Sequence, residues 1–328
     1  MSLKIKISIA VMSIFIISAL FLSNLLNSPI EQQILKGIYD QLIVVPYEEF
    51  NSELEKTIPQ CEDFKLLNKY ISLKQIHAEI ELFDFGPFRE HRLLREINFS
   101  PIREYKIEQY LQGEIGSLGD EGVTVKGLSN LQYALTLKDL PLEKKCNYLK
   151  FSIEDMKEKI DLALKDWKGD YRDQFIKNYS KSDKSIDMLV NVVLKSLNML
   201  EEDYLAIPFG KKLAYDPRLE SLPDHLTESS KTVFSIKLNS IYNLFFDDET
   251  HSPRISKLLT AELNQKLRSS FNTISNELNS IKSFEEAIST PNAVDTIYTE
   301  IKNLNILVST EVVTQLGVTV TFTDNDGD

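Results

Sequence analysis

The 328-residue chain carries 37 basic and 49 acidic side chains, a formal charge of -12 at pH 7, with 42% hydrophobic residues. That apolar content is enough to bury one large core or two modest ones, which argues against disorder. The acidic excess argues against nonspecific attraction to phosphate backbones and so against nucleic acid as a partner.

Lys4 and Lys6 precede an uncharged run from Ile7 to Leu26. At about 1.5 Å per helical residue this run approaches the roughly 30 Å of a bilayer core. Residues 1–29 therefore read as a hydrophobic helix, either a signal sequence or an uncleaved membrane anchor. The basic start, against the mixed charges of Glu31, Lys36 and Asp40, puts residues from 30 onward across the membrane. No cysteine lies in or just after the run, which removes the usual attachment point of a bacterial lipid anchor. The two cysteines, Cys61 and Cys146, are compatible with one bridge or with two buried thiols, and they make no metal cluster.

Residues 31–81 read as helix interrupted at Pro59, with Leu66, Leu67, Tyr70, Leu73 and Ile76 recurring at three- and four-residue spacing. FDFGP, Phe83 to Pro87, stops this helix, and NFSP, Asn98 to Pro101, marks a loop before an amphipathic stretch from Arg103 to Gln112. The glycine-rich segment Gly113 to Gly127 predicts a loop, because each glycine disfavours a helix interior by about 1 kcal/mol. A helix follows it, and another begins near Pro141 and carries an apolar stripe from Cys146 to Trp167. The polar stretch 168–182 marks a connection that divides the chain into a first bundle over 30–170 and a second over 171–328.

Helical spacing resumes from Ser185 to Tyr204, and Ile207 to Asp224 forms a proline-punctuated loop. Three further helices are expected over 228–247, 253–285 and 291–317. The end, VTVTFTDNDGD, alternates briefly in strand fashion before an acidic tail. With no other strand series the class is all-α.

GLSNLQY, Gly127 to Tyr133, resembles the GxHxxE motif of the imelysin family, with Ser129 and Gln132 standing where the family has histidine and glutamate. Further segments match that family in order. KKCNYL carries Cys146, with Trp167 beyond it, and IPFGKKL carries Pro208 and Gly210. LGVTVTFTDNDGD carries Phe322, Asp324, Asp326, Gly327 and Asp328, while FDFGP and NFSP look like the family's early loops. The resemblance implies two packed helical-bundle domains of the imelysin-like type in an exported bacterial envelope protein on the periplasmic side. Relatives are linked to peptidase activity, heme or iron uptake, and metal binding.

In GxHxxE the histidine and glutamate share a helix face, so imidazole and carboxylate converge on a cation or a polar substrate. The neutral hydroxyl of Ser129 and amide of Gln132 replace neither ligand well for zinc or iron, so the family's usual metal site is degenerate here and the cofactor stays open. Ser129, Gln132 and Thr136 form a polar face opposite Leu128, Leu131 and Leu135. Two readings stand for it, hydrogen bonding across the bundle or a pocket for a neutral or anionic group. A catalytic hydroxyl is disfavoured, because no histidine lies close in sequence to Ser129.

His77 and Glu81 form an i,i+4 pair that would bind a metal only with a third ligand from another helix; a solvated helix face is the ordinary account. Arg89, His91 and Arg92 could receive a carboxylate or phosphate, against a surface cluster balanced by Glu90 and Glu96. Asp247, Asp248, Glu249 and His251 are a weak cation candidate and more ordinarily a charged loop. The tail DNDGD has the first half of a calcium-loop pattern without the later glutamate. No phosphate-binding glycine motif and no nucleophile elbow occurs.

The leading expectation is a noncatalytic binding or accessory component of a bacterial envelope linked to iron or heme acquisition. Its partners would be an envelope protein, a peptide, heme or an iron-related ligand, with membrane contact through residues 1–29. The alternatives are a metal-dependent peptidase with a non-standard site and an envelope scaffold.

Overall fold

The computed structural model describes residues 29–57, 66–113, 121–177, 184–212, 216–250 and 252–321. The apolar N-terminal run, Cys61, His251 and the signature from Phe322 to Asp328 lie outside the described residues. Among the described residues every regular element is helical, so the fold is all-α. No described helix is long and apolar enough to cross a membrane.

The described residues begin with α1 (Ile30–Ile38), α2 (Val45–Thr57) and α3 (Leu66–Ile80). The short helices α4 (Pro87–Glu90) and α5 (Leu93–Ile97) then lead to α6 (Glu104–Gln112). Next come α7 (Leu128–Thr136), α8 (Leu142–Asp166) and α9 (Arg172–Ile176). The remainder comprises α10 (Ser185–Glu201), α11 (Ser230–Phe245), α12 (Ala261–Ser280), α13 (Phe284–Ala287), α14 (Asp295–Leu307) and α15 (Val313–Leu316).

Among the described residues four helices run on through π-helical turns, at Tyr39–Val44, Trp167–Tyr171, Glu202–Ala206 and Val308–Val312. A π turn inserts a residue into the ladder and rotates the helix face that follows, so one chain segment presents two differently aimed apolar stripes. Two of these turns meet, for the Tyr39 hydroxyl donates to the Trp167 carbonyl at 3.3 Å. Trp167 is fully buried there, with Phe85, Phe88, Tyr171 and Phe175 rings at centroid distances between 4.7 and 5.6 Å.

Helix α3 is central. It packs on α2 and α7 from the earlier part of the chain and on α11 from the later part, while α10 and α12 pack on α14. Its core face is Leu66, Tyr70, Leu73, His77, Ala78 and Ile80, all buried.

The helix expected over 253–285 is three elements. A 3-10 turn at Ile255–Leu258 precedes α12, whose N-cap Thr260 accepts from the Leu263 amide at 3.3 Å, and Ser283 caps α13 by accepting from the Glu286 amide at 3.1 Å. These hydroxyls satisfy amides that an uninterrupted helix would have bonded itself. The expected strand after Gly317 is an extended segment without a strand partner among the described residues. Its backbone is paired by side chains of α10: Thr319 N–H donates to Asp187 Oδ2, and Thr321 N–H donates to Asn191 Oδ1. Asn191 Nδ2 in turn donates to the Thr319 carbonyl at 3.0 Å.

Candidate functional site

Gly127 opens α7 at φ +83°, and a Cβ built there would lie 2.4 Å from the Ile97 carbonyl oxygen. Only glycine lets the motif helix start this close to the end of α5, and that approach sets Ser129 beside Asn98. Ser129 Oγ lies 2.7 Å from Asn98 Oδ1, and the ammonium of Lys74, from α3, lies 3.0 Å from the same oxygen. An ammonium has no lone pair, so the Asn98 atom facing it must be the amide oxygen. The serine at 2.7 Å therefore donates its only hydrogen to that oxygen.

Lys74 also pairs with Asp224 Oδ1 at 3.1 Å, and the two side chains are 6% and 2% exposed. Asp224 sits in the left-handed region at φ 62°, which turns its carboxylate inward between Lys74 and the Tyr204 hydroxyl, 3.2 Å from Oδ2. Burial pushes the Tyr204 phenol far above its ordinary range, and the neighbouring Asp224 carboxylate adds to the effect, so the hydroxyl keeps its proton and donates. Gln132 Nε2 donates to Thr227 Oγ1 at 3.3 Å, and Thr227 Oγ1 donates to the Asp224 carbonyl at 3.1 Å. Ser129, Asn98, Lys74, Asp224, Thr227 and Gln132 are thus linked in one polar circuit that starts and ends on α7.

A second buried pair lies two turns on from Lys74, just past the end of α3. Lys237 of α11 binds Glu81 Oε1, both side chains being 8% exposed, and its ammonium stands 5.2 Å from the centre of the Tyr204 ring. His77 Nδ1 is 3.3 Å from Glu81 Oε2. Burial lowers the imidazole's pKa, with Glu81 opposing and Lys74 and Lys237 reinforcing, so His77 is neutral at pH 7. Burial opposes ionisation of Glu81 as well, but Lys237 and His77 outweigh it and hold the carboxyl far below its usual range.

His77 and Glu81 do meet, yet they are buried against a lysine instead of forming a solvated face. Among the described residues no three His, Cys, Asp or Glu side chains gather to hold a metal. Glu79 is exposed on the other side of α3. Thr136 spends its hydroxyl on the Tyr133 carbonyl at 2.8 Å, outside the circuit. His91 Nε2 is held by Asp166 at 2.7 Å, while Arg89 and Arg92 are exposed around it.

In the 247–250 loop both aspartates are already occupied. Asp247 receives Arg254 at 3.1 Å and Asp248 receives Arg268 at 3.0 Å. Cys146 is buried in α8. Pro208 is buried and its carbonyl accepts the Arg218 amide at 2.8 Å, and Gly210 takes φ +61°.

Asn98, Lys74, Asp224, Tyr204, Thr227 and Lys237 were not singled out from the sequence. A signal existed: Tyr70, Lys74, His77 and Glu81 recur at spacings of four, three and four, so titratable groups occupy one helix face. Lys237 likewise stands in register with Val233, Phe234 and Ile241 on a buried stripe.

No family model and no curated protein matches the sequence. Two solved structures share the fold. An imelysin-like protein from Psychrobacter arcticum 273-4 superposes with a TM-score of 0.77 at 17% identity, over 89% of this chain and 97% of that one. An iron-regulated protein A precursor from Parabacteroides distasonis ATCC 8503 gives 0.71 at 14% identity, over 88% and 95%.

Proposed function

We propose that this chain, with its imelysin-like fold, is a noncatalytic binding component of a bacterial envelope, engaged in iron or heme handling. It recognises its partner by hydrogen bonds at the polar face of α7 and needs no resident metal there. One observation carries the reading: the Ser129 hydrogen is committed to an amide oxygen, and Lys74, the cation that shares that oxygen, is neutralised by Asp224. A nucleophilic serine needs a base to take its proton, and Asn98 Oδ1 is not one. Hydroxyl and amide groups are poor ligands for zinc or iron.

The iron link rests on the iron-regulated relative, and the envelope location on that likeness together with the basic and apolar start of the sequence. Calorimetric titration of the metal-stripped chain with ferrous, ferric, zinc and copper ions tests the metal-free site. The expected result is no saturable binding. Stoichiometric binding at micromolar affinity or tighter, abolished by His77→Ala, would overturn the reading in favour of a metal-dependent peptidase centred on His77 and Glu81.

A further inference from the structure

We infer that Asn98 and Asp224 build an internal cation site whose cation is the chain's own, independently of the binding role proposed above. The Lys74 ammonium fills it, and a free primary ammonium is the ligand it takes once that side chain is shortened. Three elements supply the site: Lys74 stands on α3, Asn98 ends α5, and Asp224 precedes the 3-10 turn at His225–Thr227. From one nitrogen the two oxygens lie at nearly equal distances, Asn98 Oδ1 at 3.0 Å and Asp224 Oδ1 at 3.1 Å. Each ligand is fixed by a further hydrogen bond. Ser129 donates to the same Asn98 oxygen, and the Tyr204 hydroxyl donates to Asp224 Oδ2. One cation thereby joins segments far apart in the chain, as a structural metal does where binding is coupled to folding.

Distance and charge both select an ammonium over a metal. Contacts of 3.0 and 3.1 Å are those of N–H donors to oxygen. Zinc, magnesium or calcium would have to draw the same oxygens inward by about 0.5 to 1 Å. Asp224 brings one negative charge and Asn98 none, and the Lys74 and Asp224 side chains are more than nine-tenths buried. A monovalent cation leaves the pair neutral, whereas a divalent one would leave a net positive charge in the interior. Hydrogens count as well, for a quaternary ammonium has no N–H to give either oxygen.

Lys74→Ala removes the heavy atoms of n-propylammonium, which is therefore the probe. The full chain carrying this substitution, in nonionic detergent, is melted in urea with propylammonium chloride, with propanol, and with tetramethylammonium chloride at matched ionic strength. Propylammonium alone is expected to restore stability, raising the folding equilibrium constant about tenfold at ten times its Kd. Wild type, and Lys74→Met, whose side chain fills the space, are expected not to respond. Combining Lys74→Ala with Asp224→Asn is expected to abolish the response, because the carboxylate that pairs with the cation is gone. Where Lys74→Ala does not fold unaided, its refolding yield with each additive replaces the melt.

Equal rescue by propanol would show an apolar cavity in place of a cation site, and equal rescue by tetramethylammonium would reduce the effect to salt. Rescue that survives Asp224→Asn, or no rescue by any additive, would overturn the inference outright. Stronger stabilisation of Lys74→Ala by zinc or calcium chloride than by propylammonium would overturn the choice of ammonium. None of these outcomes touches the binding role, which the metal titration of the unaltered chain tests.

Discussion

Burial keeps the His77 imidazole below its ordinary value of 6.5, with the Lys74 and Lys237 ammoniums reinforcing this against Glu81. In the unfolded chain His77 titrates normally, so below about pH 6.5 the unfolded state binds the extra proton and stability falls with pH. Glu81 acts in a lower window. Its folded value is depressed, so its contribution is full above its ordinary value of 4.5 and is lost below it. His77→Gln is therefore expected to flatten the decline between pH 6.5 and 5, where wild type loses at most about 1.4 kcal/mol per pH unit through this group. Urea melts at both pH values measure it, and an unchanged slope would show that another group titrates. The sequence showed that His77 and Glu81 share a face but could not show which way that face pointed. Their burial depends on Lys237, which lies far along the chain.

Helix α7 is only nine residues long, and no side chain caps its N-terminus. Helices of that length are marginal alone, so its two ends decide its order. At the start Gly127 permits the close approach to Ile97, and at the end Lys145 of α8 donates to the carbonyl of Leu135, at 3.1 Å, and to that of Leu137. The ammonium satisfies acceptors that the terminating helix leaves open and opposes its dipole. Lys145→Met keeps the aliphatic stem and is expected to cost about 1 kcal/mol, with faster hydrogen exchange confined to residues near 133–137. Uniform exchange across α8 as well would refute a capping role. The motif helix itself was legible, because Gly127 and the leucine spacing are local. Its cap was not, since a lysine ten residues away looks like any surface lysine until α8 folds back. The break between α12 and α13 shows the opposite failure: Ser283 and Glu286 have the S-x-x-E capping pattern in plain view, yet one helix was expected to run through to 285. The π turns leave no comparable local mark.

Across the molecule, charges are exchanged between the earlier and later parts of the chain. Lys74 is neutralised by Asp224, Glu81 by Lys237, and Asp84 by Lys195 at 2.8 Å. The first two are buried on both sides, and removing one partner from such a pair typically costs about 3–5 kcal/mol because a lone charge stays in the interior. Lys74 lies within α3 and Glu81 in the 3-10 turn that follows it, seven residues on, so they cannot substitute for each other's missing partner. Synthesis runs from the N-terminus, and α3 is made well before any of its counter-charges. A fragment ending at residue 183 is accordingly expected to leave α3 exchanging its amides freely while the Trp167 aromatic cluster, built wholly from residues before 176, already protects its own. Full protection of α3 in that fragment would refute the dependence. The crossed pairs thereby set a timetable: the newborn chain carries its central helix as an unfinished clause, completed only when Asp224 and Lys237 have been made.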